Sequence, residues 1–156
     1  MNDLLVSRLT SEDASSLSLL LTTDENKYHQ YFIPFAAEIK SLEARLGSIR
    51  EDRYWGVWFD NILAGFFMLR GFDEGYLRPS FGVYIARVYS GKGLSSFALD
   101  YCMSWCRMNH IASMMLKVHP DNRYARQTYE NAGFTANGTC PRTGHTIMEK
   151  CWSKGE

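Results

Sequence analysis

Between Ser80 and Leu99 the chain reads SFGVYIARVYSGKGLSSFAL, and this stretch limits the possible folds more than any other. Phe81 to Ala86 is apolar, aromatic and β-branched, the composition of a buried strand. Arg87-Val88-Tyr89-Ser90 breaks it and Gly91-Lys92-Gly93 follows. Leu94 to Met108 then carries apolar residues around most of a helical face. A strand, a glycine turn and a helix in succession aim unbonded backbone N–H groups at one point. That point lies at the positive end of the helix dipole and suits a phosphate. Two familiar phosphate loops do not fit. A P-loop requires G-x-x-x-x-G-K-[ST], yet Gly93 follows Lys92 and Ala86 stands at the first glycine. The dinucleotide fingerprint requires a third glycine where Ser96 stands, and an acidic strand end where Lys117-Val118-His119 stands.

The remaining chain surrounds this unit with strands and helices. Leu4 to Leu9 predicts a strand, and Thr10 or Ser11 caps a helix running to about Thr22, with Glu12 and Asp13 in its favourable first turn. Tyr28 to Phe35 is an aromatic cluster, and Ile39, Leu42, Leu46 and Ile49 give Ala36 to Ile49 a helical rhythm. Tyr54 to Phe59 and Leu63 to Gly71 predict a hairpin about Asp60-Asn61. After the central unit, Ser113 to Val118 predicts a strand and Arg123 to Ala132 a helix closed by Gly133. Phe134 to Asn137 and His145 to Trp152 predict two last strands. The order β-α-α-β-β-β-α-β-α-β-β implies an α/β (α+β) fold, a mixed sheet of about seven strands with helices on both sides.

A chain of 156 residues suits one domain, spanning residues 1–156. Its 17 basic and 17 acidic residues cancel, so no nucleic-acid or membrane-surface partner is expected. The start MNDLLVSRLTSEDASS lacks a basic region and a long apolar core, which predicts a cytoplasmic protein without a signal peptide. Cys102, Cys106, Cys140 and Cys151, like the scattered histidines His29, His110, His119 and His145, show no metal spacing. Buried free thiols and no metal are expected.

SGKGLS, Ser90 to Ser95, resembles the [QR]-x-x-G-x-[GA] pyrophosphate loop of the GNAT superfamily, the acetyl-coenzyme A dependent N-acetyltransferases. Gly93 stands at the glycine, whereas Ser90 and Ser95 depart from the pattern. The run VHPDNRYARQTYENAGF resembles the second coenzyme-binding segment, V-x-x-x-N-x-x-A-x-x-x-Y-x-x-x-G-F. Val118, Asn122, Ala125, Tyr129, Gly133 and Phe134 fall in register with it, and TIMEK resembles the last strand.

That resemblance implies a sheet splayed between its fourth and fifth strands. It implies acetyl-coenzyme A as cosubstrate, its diphosphate held by Ser90, Gly91, Lys92, Gly93, Leu94 and Ser95, with Arg87 or Lys92 adding charge. The coenzyme arm would pair with Val83 and Ile85 and bond Asn122. Tyr129 takes the general-acid position, protonating the departing thiolate. For the base, Glu74 leads, with Asp73, His29 and His119 as other candidates, or ordered water in place of any side chain. The acceptor is expected to be a small-molecule amine, bound by Tyr31, Phe32, Arg70, Phe72 and Asp73 together with the aromatic cluster. The runs YFIPF, GFFMLRGFDEGY and PSFGVYI look similar to acetyltransferases of surface-polysaccharide clusters, which act on amino sugars, free or nucleotide-linked. A peptide or protein amine, or a non-catalytic acyl-coenzyme A binding module, stands as the alternative. The protein is expected to be a monomer or homodimer.

Overall fold

The computed structural model describes residues 1–23 and 36–152. Seven strands form one mixed sheet: β1 (Leu4–Arg8), β2 (Arg53–Phe59), β3 (Ile62–Arg70), β4 (Ser80–Ile85), β5 (Ser113–Val118), β6 (Thr135–Thr139) and β7 (Thr146–Cys151), in the order β1-β2-β3-β4-β5-β7-β6. Four helices flank it: α1 (Ala14–Thr23), α2 (Ile39–Gly47), α3 (Leu94–Met108) and α4 (Arg123–Asn131). The element order is the one the sequence predicts.

Local chemistry sets the boundaries. Thr10 opens the first helical segment with a capping box: its hydroxyl accepts from the Glu12 N–H at 3.3 Å, and the Asp13 carboxylate accepts from the Thr10 N–H at 2.8 Å. This first turn tightens into a 3-10 turn, Ser11–Asp13, before α1 begins. α2 starts at Ile39 rather than Ala36, after Glu38 in extended conformation. Asp60 and Asn61 both take positive φ, 52° and 59°, as a two-residue hairpin turn with right-handed strand twist demands. The link before β4 contains a 3-10 turn at Phe72–Glu74 between Gly71 and Gly75.

Alternation along the strands builds a core on each face of the sheet. On one, Trp55, Val57, Phe67, Leu69, Phe81, Met114, Leu116, Val118 and Met148 pack against Ala98, Leu99, Cys102 and Cys106 of α3 and against Phe134. On the other, Tyr54, Phe66, Met68 and Tyr84 pack against Leu17, Leu20 and Leu21 of α1 and Leu42 and Leu46 of α2. Burial on both faces explains why GFFMLR and YWGVW read as continuous apolar runs. Cys102 and Cys106 are free thiols in the first core, and burial pushes the Cys106 thiol up to about 12. Among the described residues no helix is long and apolar enough to cross a membrane.

The sheet is incomplete at one seam. β4 and β5 run parallel but pair only at Ser80–Met115 and Phe81–Leu116, although each strand continues beyond. β4 is fully laddered to β3 on its other side, and β5 to β7.

Candidate active site

Past Phe81 the two strands diverge around a cleft of about 580 Å³. Its walls are β4, the turn and first residues of α3, the end of β5, and α4. In an antiparallel pair alternate residues turn both backbone groups toward the partner. Ala86 donates its N–H to the Ala64 carbonyl on β3, so even-numbered residues of β4 face β3. Phe81, Val83 and Ile85 therefore face the β5 side, as does the Pro79 carbonyl that accepts from the Met115 N–H. Beyond Phe81 no strand stands opposite, and the peptide groups of Val83 and Ile85 line an open cleft. Backbone groups in such a position require a hydrogen-bonding partner, and an extended amide chain supplies one.

The glycine turn closes one end of the cleft. Gly91 and Gly93 take φ of 74° and 86°, left-handed values that other residues adopt only under strain, and a Cβ at either would meet nothing within 4 Å. Gly93 is the N-cap of α3, so no side chain caps the first turn, and that turn carries no acidic residue. The first-turn amides and the dipole remain available to an anion. Ser90, Gly91, Gly93, Leu94 and Ser95 line the cleft, as do Val83, Ile85, Asn122 and Tyr129. Arg87 and Lys92 do not. Arg87 opens the 3-10 turn Arg87–Tyr89, and its carbonyl accepts from the Ser90 hydroxyl at 2.6 Å.

Two residues of α4 complete the wall. The Asn122 Oδ1 caps the helix by accepting from the Ala125 N–H at 3.2 Å, which leaves the side-chain NH2 as donor. Tyr129 is fixed from three directions. Its carbonyl accepts the Phe134 N–H at 3.0 Å in the turn that Gly133, at φ 97°, makes possible. Its ring packs edge-on against Phe81 at 6.4 Å and tilted against Phe134 at 6.2 Å. Burial pushes the phenol up to about 12, so it carries its proton at neutral pH.

The expected acceptor residues are dispersed. Tyr31 and Phe32, with Tyr28, His29 and Phe35, lie outside the described residues. Phe72 packs on Trp105 at 6.2 Å. Arg70 ends β3 opposite Ser80 and acts electrostatically on Tyr54. Glu74 and Asp73, expected as base and acceptor contact, are not among the residues lining this cleft. Both lie in the 3-10 turn before β4, whereas the cleft opens beyond Phe81, further along that strand. Asp73 is committed elsewhere: its carboxylate accepts from the Glu51 N–H at 2.6 Å and the Arg50 N–H at 3.1 Å, while its own N–H donates to Asp52 Oδ1 at 3.1 Å.

Those backbone N–H groups hold the Asp73 carboxyl below its ordinary value. A depressed carboxylate pKa adds stability above the unfolded-state value and loses it as pH falls through the folded-state value. Asp73→Asn is expected to lower the melting temperature most at neutral pH, with the gap to wild type closing as the buffer is acidified; thermal melts across that range measure it.

Sequence reasoning did not single out Lys117 as a site residue, although it lines the cleft. The alternation Met114, Leu116, Val118 was the available signal, since it sends Lys117 to the opposite face. His119, a base candidate that also follows the strand beside the expected coenzyme, lines the cleft too. Its Nδ1 accepts the Asp121 N–H at 3.1 Å, which places the neutral ring's proton on Nε2. Among the described residues no group of three or more His, Cys, Asp or Glu side chains could hold a metal.

Comparisons with known proteins agree with this architecture. The sequence pattern described as "Acetyltransferase (GNAT) family" matches residues 19–134. The fold is similar to that of a ribosomal-protein-S5-alanine acetyltransferase from Vibrio fischeri, at 16% identity and TM-score 0.81, covering 98% of this chain and 95% of that one. It is similar to PaiA N-acetyltransferase from Thermoplasma acidophilum, solved in complex with coenzyme A, at 19% identity and TM-score 0.74, covering 96% and 99%. It is also similar to a GNAT-family acetyltransferase from Streptococcus pneumoniae, at 17% identity and TM-score 0.74, covering 96% and 100%. Among curated proteins none matches in sequence. A family pattern spanning most of the chain, on a sheet parted at β4 and β5, makes this chain a member of the acetyltransferase (GNAT) family, an N-acetyltransferase.

Proposed function

We propose that this N-acetyltransferase moves the acetyl group of acetyl-coenzyme A directly to a primary amine of a small molecule, with amino sugars, free or nucleotide-linked, as the leading class. The observation that carries the coenzyme assignment is the continuity of one surface: the exposed peptide groups of Val83 and Ile85 lead to the glycine turn and the uncapped start of α3. That surface fits an amide-rich arm ending in a diphosphate.

Bound there, the thioester supplies an activated acyl carbon: the amine nitrogen bonds to it, the carbon–sulfur bond breaks, and one amine proton is lost. Gly91, Gly93, Leu94 and Ser95 offer backbone donors to the diphosphate, with Lys92 and Arg87 as flanking charges. Val83 and Ile85 align the arm and polarise the carbonyl. The Asn122 NH2 donates to the arm. Tyr129, protonated at neutral pH, gives its proton to the departing sulfur. Ordered water takes the amine proton in this reading, since no Asp or Glu is among the described residues lining the cleft.

Transfer to a protein amine is the second reading, favoured by the fold's likeness to a ribosomal-protein acetyltransferase. Fold alone does not choose an acceptor. Thermal shift with acetyl-coenzyme A, followed by acetyl-transfer assays over amines, amino sugars and peptides, tests the proposal. Stabilisation by acetyl-coenzyme A and turnover of small amines is expected. No binding of the coenzyme, or turnover of peptides alone, would overturn it.

A further inference from the structure

We propose that Lys117 selects an acceptor carrying an acidic group, a phosphate or a carboxylate, in addition to its amine. This rests on the acetyl transfer proposed above and names the acceptor class more closely.

The argument begins with register. Leu116 makes the last rung to β4, so Lys117 is the first residue of β5 past the point where the strands part. Leu116 and Val118 point into the core shared with α3, Tyr129 and Phe134, and alternation turns Lys117 to the opposite face. If the coenzyme is held by Asn122 and Tyr129 on one side of the sheet, Lys117 stands at the other mouth of the same opening. On β4 the residue beside it is Gly82, where the Met68 side chain from β3 fills the place a Cβ would take.

Among the described residues the neighbours of Lys117 include the Cys140 thiol, which hydrogen bonds from Thr143 and Arg142, with the Lys117 charge adding to them, bring down to about 7. Lys117 lies opposite Ile147, and one further rung brings His119 opposite His145. The two imidazole rings meet edge to face at 5.2 Å. Cys140 stands across from His145, to whose carbonyl it donates its N–H at 2.8 Å. His145 is buried, and desolvation, with His119 and Lys117 nearby, lowers its pKa and keeps the ring neutral. Among the described residues, two carboxylates near that face have partners. Glu149, one pleat back on β7, is bound by Arg78 and Asn137. An Asp121 oxygen lies 3.9 Å from the occupied Nδ1 of His119. Among the described residues lining the cleft there is no Asp or Glu. A lysine in a cleft wall whose described lining has no carboxylate matches an anion better than a bare ammonium. The same positive charge favours the neutral amine that must attack.

The test uses the full chain at saturating acetyl-coenzyme A, so the diphosphate site is filled. Initial rates are compared within matched acceptor pairs: glucosamine 6-phosphate against glucosamine, a nucleoside-diphosphate amino sugar against the free sugar, and an amino acid against its amide. Wild type is expected to favour the acidic member of at least one pair by about tenfold or more in kcat/KM, carried by KM. The pair that shows it tells phosphate from carboxylate. Lys117→Gln should bring that ratio toward one and Lys117→Glu should invert it, with melting temperatures confirming that both variants fold. Equal rates within every pair, a ratio unchanged in Lys117→Gln, or acceptance of neutral amines alone would overturn the inference. A protein that fails to bind acetyl-coenzyme A would instead remove the function beneath it.

Discussion

Tyr129→Phe is expected to lower kcat about a hundredfold while coenzyme A affinity stays near wild type, the scale set by loss of one positioned acid. The variant removes one oxygen and keeps the ring that packs on Phe81 and Phe134, so the wall of the cleft retains its shape. The backbone bond from Phe134 to the Tyr129 carbonyl is also untouched. The phenol suits this task because burial raises its pKa to about 12: it enters each cycle protonated and is readily reprotonated afterwards. A leaving thiolate that receives no proton must depart as the free anion, and that step carries the cost. Stopped-time acetyl transfer gives kcat, and calorimetric titration with coenzyme A gives affinity. A variant with undiminished kcat would remove Tyr129 from the chemistry. A variant that loses coenzyme affinity alone would assign it to binding.

Gly93→Val is expected to weaken coenzyme A binding about tenfold to a hundredfold, since holding an L-residue in the left-handed region costs roughly 1–2 kcal/mol and a β-branched one more. Space is not the obstacle, because a Cβ at Gly93 meets nothing within 4 Å. The obstacle is φ of 86°, which valine resists. Relieving that strain rotates the peptide entering α3 and turns the first amides of the helix away from their common focus. Asparagine visits the left-handed region several-fold more often than other residues, so Gly93→Asn should lose clearly less affinity. Isothermal titration on the pair decides the matter: a valine variant that binds coenzyme A normally would mean that this turn does not cradle the diphosphate.

What the sequence discloses here follows the range of the interactions. The glycine turn, the Asn122 cap, Gly133 and the Asp60–Asn61 hairpin are contained within a few residues, so pattern and propensity reveal them. The parting of β4 from β5 was legible through the resemblance carried by Val118 to Phe134. The bonding of Asp73 lies at the opposite end of that range. Asp73 is consumed by amides more than twenty residues earlier in the chain, at Arg50 and Glu51, a bond that no local pattern announces. Asp52 answers it by accepting the Asp73 N–H, and the exchange pins the 3-10 turn before β4. Lys117 was passed over for a related reason. Its meaning depends on which rung ends the β4–β5 ladder, and one rung of difference would place it within a closed sheet.

The seam has a mechanical consequence. Among the described residues two rungs tie the β1-to-β4 half of the sheet to the β5, β7 and β6 half by strand pairing, and the Arg78–Glu149 ion pair and side chains on α3 and α4 add to that attachment. An arm laid along Val83 and Ile85 acts as a zipper tooth across that join. A coenzyme bound as proposed would couple the two halves across the seam, so that amide exchange in β6 and β7 should slow on adding coenzyme A.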